Sequence, residues 1–261
     1  MEKLISFIIK SEKGFLKKPD INDGIYLTYN MLHKPALLGI LGAIIGLGGY
    51  KKNGVLPEYY LALKDLPIGI KPVDDEKGNF QKTLVYYTNT TGFANEGENK
   101  AGATHLINEQ TLIKPSYKIY LMLDMDNEHQ KQLYENLKNQ KAEYLPYLGK
   151  NDYSLWWDKD EVEEYEWENT GKSSNIIIST IFKKDQAIMD HVVKAIGRKA
   201  LAEQKNYYYY FECLPISFND KLFQYTMADF AYTNATLADT IDVNSNGLLK
   251  IKNKDEVVFL F

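Results

Sequence analysis

The chain has 261 residues, 44% of them hydrophobic and 25% charged, which excludes disordered, collagen-like and disulfide-scaffold classes and leaves length for one large domain or two small ones. With 31 basic against 35 acidic side chains the formal charge is −4, so no global cationic field draws in a polyanion and any nucleic-acid site has to be local. A single cysteine, Cys213, forms no internal disulfide and has no metal-ligand spacing, which points to a reducing, cytoplasmic setting.

Leu4 to Ile9 is a short apolar run bounded by charge and reads as a buried first strand, not as a signal peptide. A loop holding Lys17, Lys18, Pro19, Asp20 and Gly24 follows. Pro35 to Leu47 is apolar on every face except at Gly39, Gly42 and Gly46. It is too short for a bilayer, which needs about 20 residues, so it reads as a buried helix with Pro35 in its first turn and Gly48-Gly49 at its stop. The three glycines fall on one stripe, which predicts close packing onto a sheet; a phosphate backbone or a partner helix near the same stripe is the functional alternative.

Leu61 to Val73 is read as a strand that Pro67 and Pro72 confine to an edge or a bend. Asp74 to Gly78 is a turn, Lys82 to Tyr87 a strand, and Thr88 to Asn108 a long polar loop of the kind that carries function. Ile119 to Leu123 is another strand, and Glu128 to Asn139 a helix with Leu133 and Leu137 on one face, capped by Asp126 or Asn127. With a further strand near Asp152 to Trp157, the order is that of a ferredoxin-like unit. Beyond it, a β-rich stretch at Asn175 to Phe182, a helix at Gln186 to Gln204 and a tyrosine strand at Tyr207 to Leu214 suggest a second, smaller domain.

Charge is unevenly spread. Residues 1 to 55 carry eight lysines against four acidic residues, whereas residues 152 to 168 carry eight acidic residues against Lys159 alone. The acidic run reads as a solvated edge, or as a docking face for a basic partner, or as a surface from which RNA is excluded. Arg198 is the only arginine, so phosphate contacts fall to lysine point charges and backbone N–H groups.

Motif chemistry is mostly excluded. Glu168 to Ser173 ends in GKS but Glu166 stands where a P-loop needs glycine, and Gly46-Leu47-Gly48-Gly49 follows a helix, not a strand. Asp124, Asp126 and Glu128 are explained by helix capping more simply than by a cation. His33, His105, His129 and His191 lack zinc spacing. There is no nucleophile elbow, and Cys213 lies in an apolar strand where a thiol is inert. No cofactor and no metal are expected. A metal-independent ribonuclease needs only a general acid and base, which Tyr29, His33 and His105 could supply.

The ordered residues Gly14-Phe15-Leu16-Lys17-Lys18, Leu27-Thr28-Tyr29 and Lys34 to Leu47, with Lys114 to Tyr120 and Glu143-Tyr144-Leu145-Pro146-Tyr147-Leu148-Gly149-Lys150, resemble the Cas-five family of CRISPR-associated proteins over roughly the first 155 residues. The resemblance implies an α+β fold of the RAMP superfamily: a ferredoxin-like, RRM-like N-terminal domain over 1–145 with a protruding thumb at about 80–112, and residues 146–261 supplying the last platform strand and a small β-rich C-terminal domain. It implies a non-catalytic, type I-B-like subunit of a Cascade antiviral effector complex. Such a subunit binds the 5′ handle of CRISPR RNA (crRNA), caps the Cas-seven backbone and contacts the large subunit, with no membrane partner. Phe15, Lys17, Lys18, Tyr29, His33 and Lys34 are then the expected RNA-binding residues, with Lys150 as a second site. The alternative is the type I-C-like branch, a metal-independent endoribonuclease that processes precursor crRNA; here His105 follows Thr104 without that branch's adjacent lysine.

Overall fold

The computed structural model describes residues 1–19, 24–75, 77–89, 105–170, 176–184, 207–235, 247–254 and 256–261. In chain order its elements are β1 (Glu2–Ser11), β2 (Lys13–Gly14), α1 (Lys34–Ile45), α2 (Glu58–Leu63), β3 (Ile68–Pro72), β4 (Lys82–Asn89), β5 (His105–Ile113), β6 (Ser116–Asp124) and α3 (Glu128–Lys138). There follow β7 (Leu155–Trp156), a 3-10 turn (Lys159–Glu161), β8 (Glu163–Tyr165), β9 (Trp167–Asn169), β10 (Phe182–Lys183), β11 (Tyr209–Phe218), β12 (Tyr225–Thr233), β13 (Leu248–Ile251) and β14 (Glu256–Phe259). The expected helix at Gln186 to Gln204, the centre of the expected loop at 90–104, Arg198, His191 and the GKS residues lie outside the described residues.

β1 is central because its apolar run has no polar alternation, so both of its faces must be covered. It pairs antiparallel with β6 from Glu2↔Asp124 to Lys10↔Ser116. Its other edge takes β7 at one end, Lys10↔Trp156, and β8 at the other, Leu4↔Tyr165. β3 closes the far edge against β6, giving the order β3-β6-β1-β7. One face of β1 contributes Ile5, Phe7 and Ile9 to the main core with α1 and α3. Leu4 on the opposite face packs with Leu249, Ile251 and Val258, from β13 and β14. The main core also takes in Ile181, Leu214, Phe230 and Tyr232 from the C-terminal third.

Three expectations are corrected. Leu61 to Val73 is not one strand: Glu58 to Leu63 is helical, and only Ile68 to Pro72 extends, though it does lie at an edge, where the Phe261 backbone pairs with Ile68. The loop expected from Thr88 to Asn108 is shorter at both ends, since β4 runs to Asn89 and β5 starts at His105 in one antiparallel hairpin. The fourth strand of the platform is split between β7 and β8.

Helix α1 begins where His33 Nδ1 accepts from the Ala36 N–H and ends at Gly46, in the left-handed conformation that satisfies the last carbonyls. The stop is therefore two residues earlier than Gly48. Of the glycine stripe, Gly39 and Gly42 face Tyr59 of α2 and Gly46 faces Glu143, not the sheet. A methyl group on Gly42 would sit 2.3 Å from Tyr59 Cβ, whereas one on Gly39 would meet Tyr59 only at 3.7 Å. Gly42→Ala is therefore expected to cost about 1–3 kcal/mol by overpacking, while Gly39→Ala holds or gains up to about 1 kcal/mol from helix propensity. Urea denaturation of the two variants checks this; equal midpoints would contradict the packing assigned to Tyr59.

Helix α3 starts as expected, with the Asn127 side chain accepting from His129 N and Gln130 N. The middle of the acidic run 152–168 is paired within the fold. β8 lays Glu163 against Lys118 at 2.8 Å and Lys254 at 3.2 Å, and Glu164 against Lys138 at 2.9 Å and Lys3 at 3.1 Å, while Glu161 bonds Lys10 at 2.7 Å. Hydrogen bonds from Lys118 and Tyr165 hold Glu163 down at about 2, and those from Tyr134 and Lys138 do the same for Glu164. Carboxyls held below their ordinary value of about 4.5 stabilise the fold above that pH and lose this contribution as pH falls toward 2. Solvent reaches both side chains, so the effect is modest. The melting temperature should fall across pH 4.5 to 2, and more shallowly in the Glu163→Gln/Glu164→Gln variant; matching slopes would sink this account.

Candidate nucleic-acid interface

The segment after β2 is folded back on itself by backbone bonds, from Tyr29 N to Leu16 O at 2.7 Å and from Lys18 N to Leu27 O at 2.8 Å, with Thr28 Oγ1 accepting from Leu16 N. It is anchored to the Leu145–Lys150 turn by Phe15 N donating to Leu148 O. These bonds bury Phe15 and Tyr29 in the core and leave Lys17 and Lys18 outside. Lys17 Nζ lies 3.9 Å above the Tyr26 ring. Lys18 Nζ lies 5.0 Å from the centre of the Tyr29 ring and 3.3 Å from Glu212.

His33 is buried, edge-on to both Tyr29 and Tyr225, and burial lowers its pKa to about 3. A neutral ring occupied in capping α1 is poorly placed to move protons at a phosphodiester. Lys34 is also buried, its Nζ donating to the Phe261 carbonyl at 2.9 Å, and burial pulls its pKa to about 8. Lys150 belongs to a separate cluster with Glu109, Tyr87 and Tyr153. The structure thus brings Lys17, Lys18, Tyr29 and His33 into one neighbourhood, and directs Phe15, Lys34 and Lys150 into internal contacts.

Lys18 opens onto a cleft of about 1290 Å³ whose other walls are the base of the β4–β5 hairpin and the β11–β12 hairpin. Lys82 from β4 donates to Asn30 Oδ1 at 3.0 Å, and burial lowers its pKa. Glu212 of β11 locks the walls together: its carboxylate accepts from Asn30 N at 3.1 Å, Met31 N at 2.9 Å and the Tyr210 hydroxyl at 2.6 Å. Phe211, Phe223 and Met227 line the same cleft and are exposed. Cys213 lies in a strand as expected, β11, but is exposed on its cleft side, which corrects the expectation of an apolar setting for its thiol. Two lysine point charges among exposed aromatic rings suit a phosphate chain whose bases stack.

Lys82, Glu212, Phe211 and Phe223 were not among the predicted site residues. The tyrosine strand was visible, but its partner β12 and the turn carrying Phe223 gave no alternating signal. Among the described residues no group of three or more His, Cys, Asp and Glu side chains is arranged to hold a metal ion. Among them, too, no helix is long and apolar enough to cross a membrane.

No protein-family model matches the sequence, and no curated protein matches it significantly. Among solved structures, the chain superposes on a chain of a CRISPR RNA-guided surveillance complex with a TM-score of 0.50 and 12% identity, covering 89% of this chain and 91% of that one. It is also similar to a CRISPR protein from Archaeoglobus fulgidus, with a TM-score of 0.47, 13% identity and coverage of 100% and 98%. A chain of the type III-B Cmr-beta complex bound to cognate target RNA and AMPPnP gives a TM-score of 0.48, 10% identity and coverage of 98% and 99%. The last two likenesses are too loose to bear weight. The first establishes the fold: a β-rich α+β architecture shared with a chain of a CRISPR RNA-guided complex.

Proposed function

We propose that this protein is an RNA-binding subunit of a type I CRISPR effector complex, of the Cas-five kind, and that it holds the 5′ handle of crRNA. The observation that carries the reading is the cleft, where Lys18 and Lys82 stand among Phe211, Phe223 and Met227 at the meeting of three segments. The strand order β3-β6-β1-β7 with α1 and α3 on one face supports a ferredoxin-like, RRM-like RAMP platform. The β4–β5 hairpin occupies the region expected to form the thumb; Leu84, Tyr86 and Leu106, which alternate along it onto one face, are exposed and suit contact with a Cas-seven subunit. On this reading the β-rich part after residue 145 completes the platform, meets the large subunit and contributes the β11–β12 wall of the cleft.

The test is to express the chain, tagged, with its neighbouring operon genes and a CRISPR array, and to sequence the RNA and proteins recovered with it. Uniform crRNA with other effector subunits is expected, and its 5′ handle should become nuclease-sensitive in an assembly lacking this chain. An assembly that protects the handle without it would refute the proposal. Incubation with repeat RNA in EDTA separates the endoribonuclease alternative, since cleavage at a single site is that branch's signature.

A further inference from the structure

Three depressions on this surface meet. The cleft shares Phe223 with a pocket of about 560 Å³ formed by Tyr50, Lys51, Lys52 and Val55. It shares Phe218 and Tyr225 with a groove along α1 that also reaches Tyr50. Tyr50 is 63% exposed and Phe223 43%. Among the described residues the groove over α1 has no charged lining side chain, so a phosphate chain finds no counter-charge there. The branch toward Lys51 and Lys52 supplies one. Among the described residues lining cleft and branch, the lysines at 18, 82, 51 and 52 face one carboxylate, Glu212, and it is already consumed by Lys18, two backbone N–H groups and Tyr210. The pair of Lys51 with Glu58 is solvent-exposed and 3.6 Å long, weak enough for a phosphate to displace.

We infer that the single-stranded RNA held in the cleft continues past Phe223 onto Tyr50, Lys51 and Lys52, with one or more bases stacked on the Tyr50 ring. This extension rests on the proposed RNA-binding reading. Rings and lysines along the branch make it a track that works chiefly by stacking and phosphate contact, and its contribution appears only when the strand is long enough to reach it.

The experiment measures binding of fluorescein-labelled oligouridylates of about 4 and about 10 nucleotides to the purified full chain by anisotropy, lengths spanning the usual site sizes for such grooves. Wild-type protein is expected to bind the longer strand about tenfold more tightly. Tyr50→Ala/Lys51→Gln/Lys52→Gln should abolish that gain and leave the short strand unaffected, whereas Phe211→Ala/Phe223→Ala should weaken both. Lys51→Glu/Lys52→Glu, which keeps Tyr50, should also abolish the gain. Unchanged length dependence in both branch variants would overturn the extension while leaving the cleft intact. Wild-type protein that binds neither strand would overturn the cleft reading as well. Loss of a protein subunit from the purified assembly, with RNA binding unchanged, would make this a protein-docking surface and overturn the inference.

Discussion

Gly149→Ala should lower the stability of this protein by more than about 3 kcal/mol or prevent it from folding. Gly149 has φ +83°, a region that L side chains enter at a cost, and a methyl group there would lie 1.8 Å from the Phe15 carbonyl oxygen. The obstacle is backbone on both sides, because the Leu148 carbonyl is receiving Phe15 N and the Leu148 amide donates to Tyr153 O. Neither strand of this contact can retreat without losing those bonds. Gly49→Ala is the control, since nothing lies within 4 Å of its added methyl. Chemical denaturation should separate the two clearly; a Gly149→Ala protein within about 1 kcal/mol of wild type would contradict the close approach. The result would also give the run Tyr147-Leu148-Gly149-Lys150 a physical meaning. Its glycine lets the 145–150 turn touch the segment that presents Lys18 to the cleft.

A second strong destabilisation is expected at Lys150, the last residue of that run. Glu109 is almost completely buried in β5, and Lys150 Nζ reaches its carboxylate at 3.2 Å while the hydroxyls of Tyr87 and Tyr153 donate to it at 3.1 Å. Burial disfavours the lysine's charge, but hydrogen bonds to Tyr87 and Glu109 outweigh it and raise the pKa. Lys150→Met strands a buried carboxylate and should cost about 3 kcal/mol. Adding Glu109→Gln removes the uncompensated charge and should recover most of that loss, a coupling that a double-mutant cycle reads directly. Additive losses would show that the pair is not coupled. Lys150 therefore ties the base of the β4–β5 hairpin to the 145–150 turn, and an effect of its loss on RNA binding would follow from that tie.

What the sequence made legible follows the apolar pattern. β1, β6, α1 and α3 could be placed because Leu4 to Ile9, Ile119 to Leu123, Pro35 to Leu47 and Leu133 with Leu137 each carry their own burial code, and Asn127 its own cap. The start of β5 reads as loop because the outer part of the hairpin stands in solvent: Leu106 is exposed and Ile107 and Asn108 are half-buried, so no apolar alternation marks the strand there. The acidic run looked unpaired because its partners, Lys3, Lys118 and Lys254, are remote in the chain and only the β1–β8 pairing gathers them. The same limit applies to the site. Residue type singled out Phe15, Tyr29, His33 and Lys34, yet type does not tell a stacking platform from core, and these four side chains proved to be buried. Lys82, Phe211 and Phe223 form a site only once β4 and the β11–β12 hairpin converge, a tertiary fact with no local signature.

Short-wavelength cross-linking of crRNA to the assembled complex, followed by mass spectrometry of this chain, tests whether the cleft between Lys18 and the β11–β12 hairpin holds the RNA. RNA adducts are expected on the peptides carrying Phe211, Cys213, Phe223 and Tyr225, the rings and thiol that line the cleft, and the adducts should disappear in the Phe211→Ala/Phe223→Ala variant. Adducts confined to surfaces away from the cleft, or a complex whose crRNA leaves this chain unmarked, would contradict that placement of the RNA.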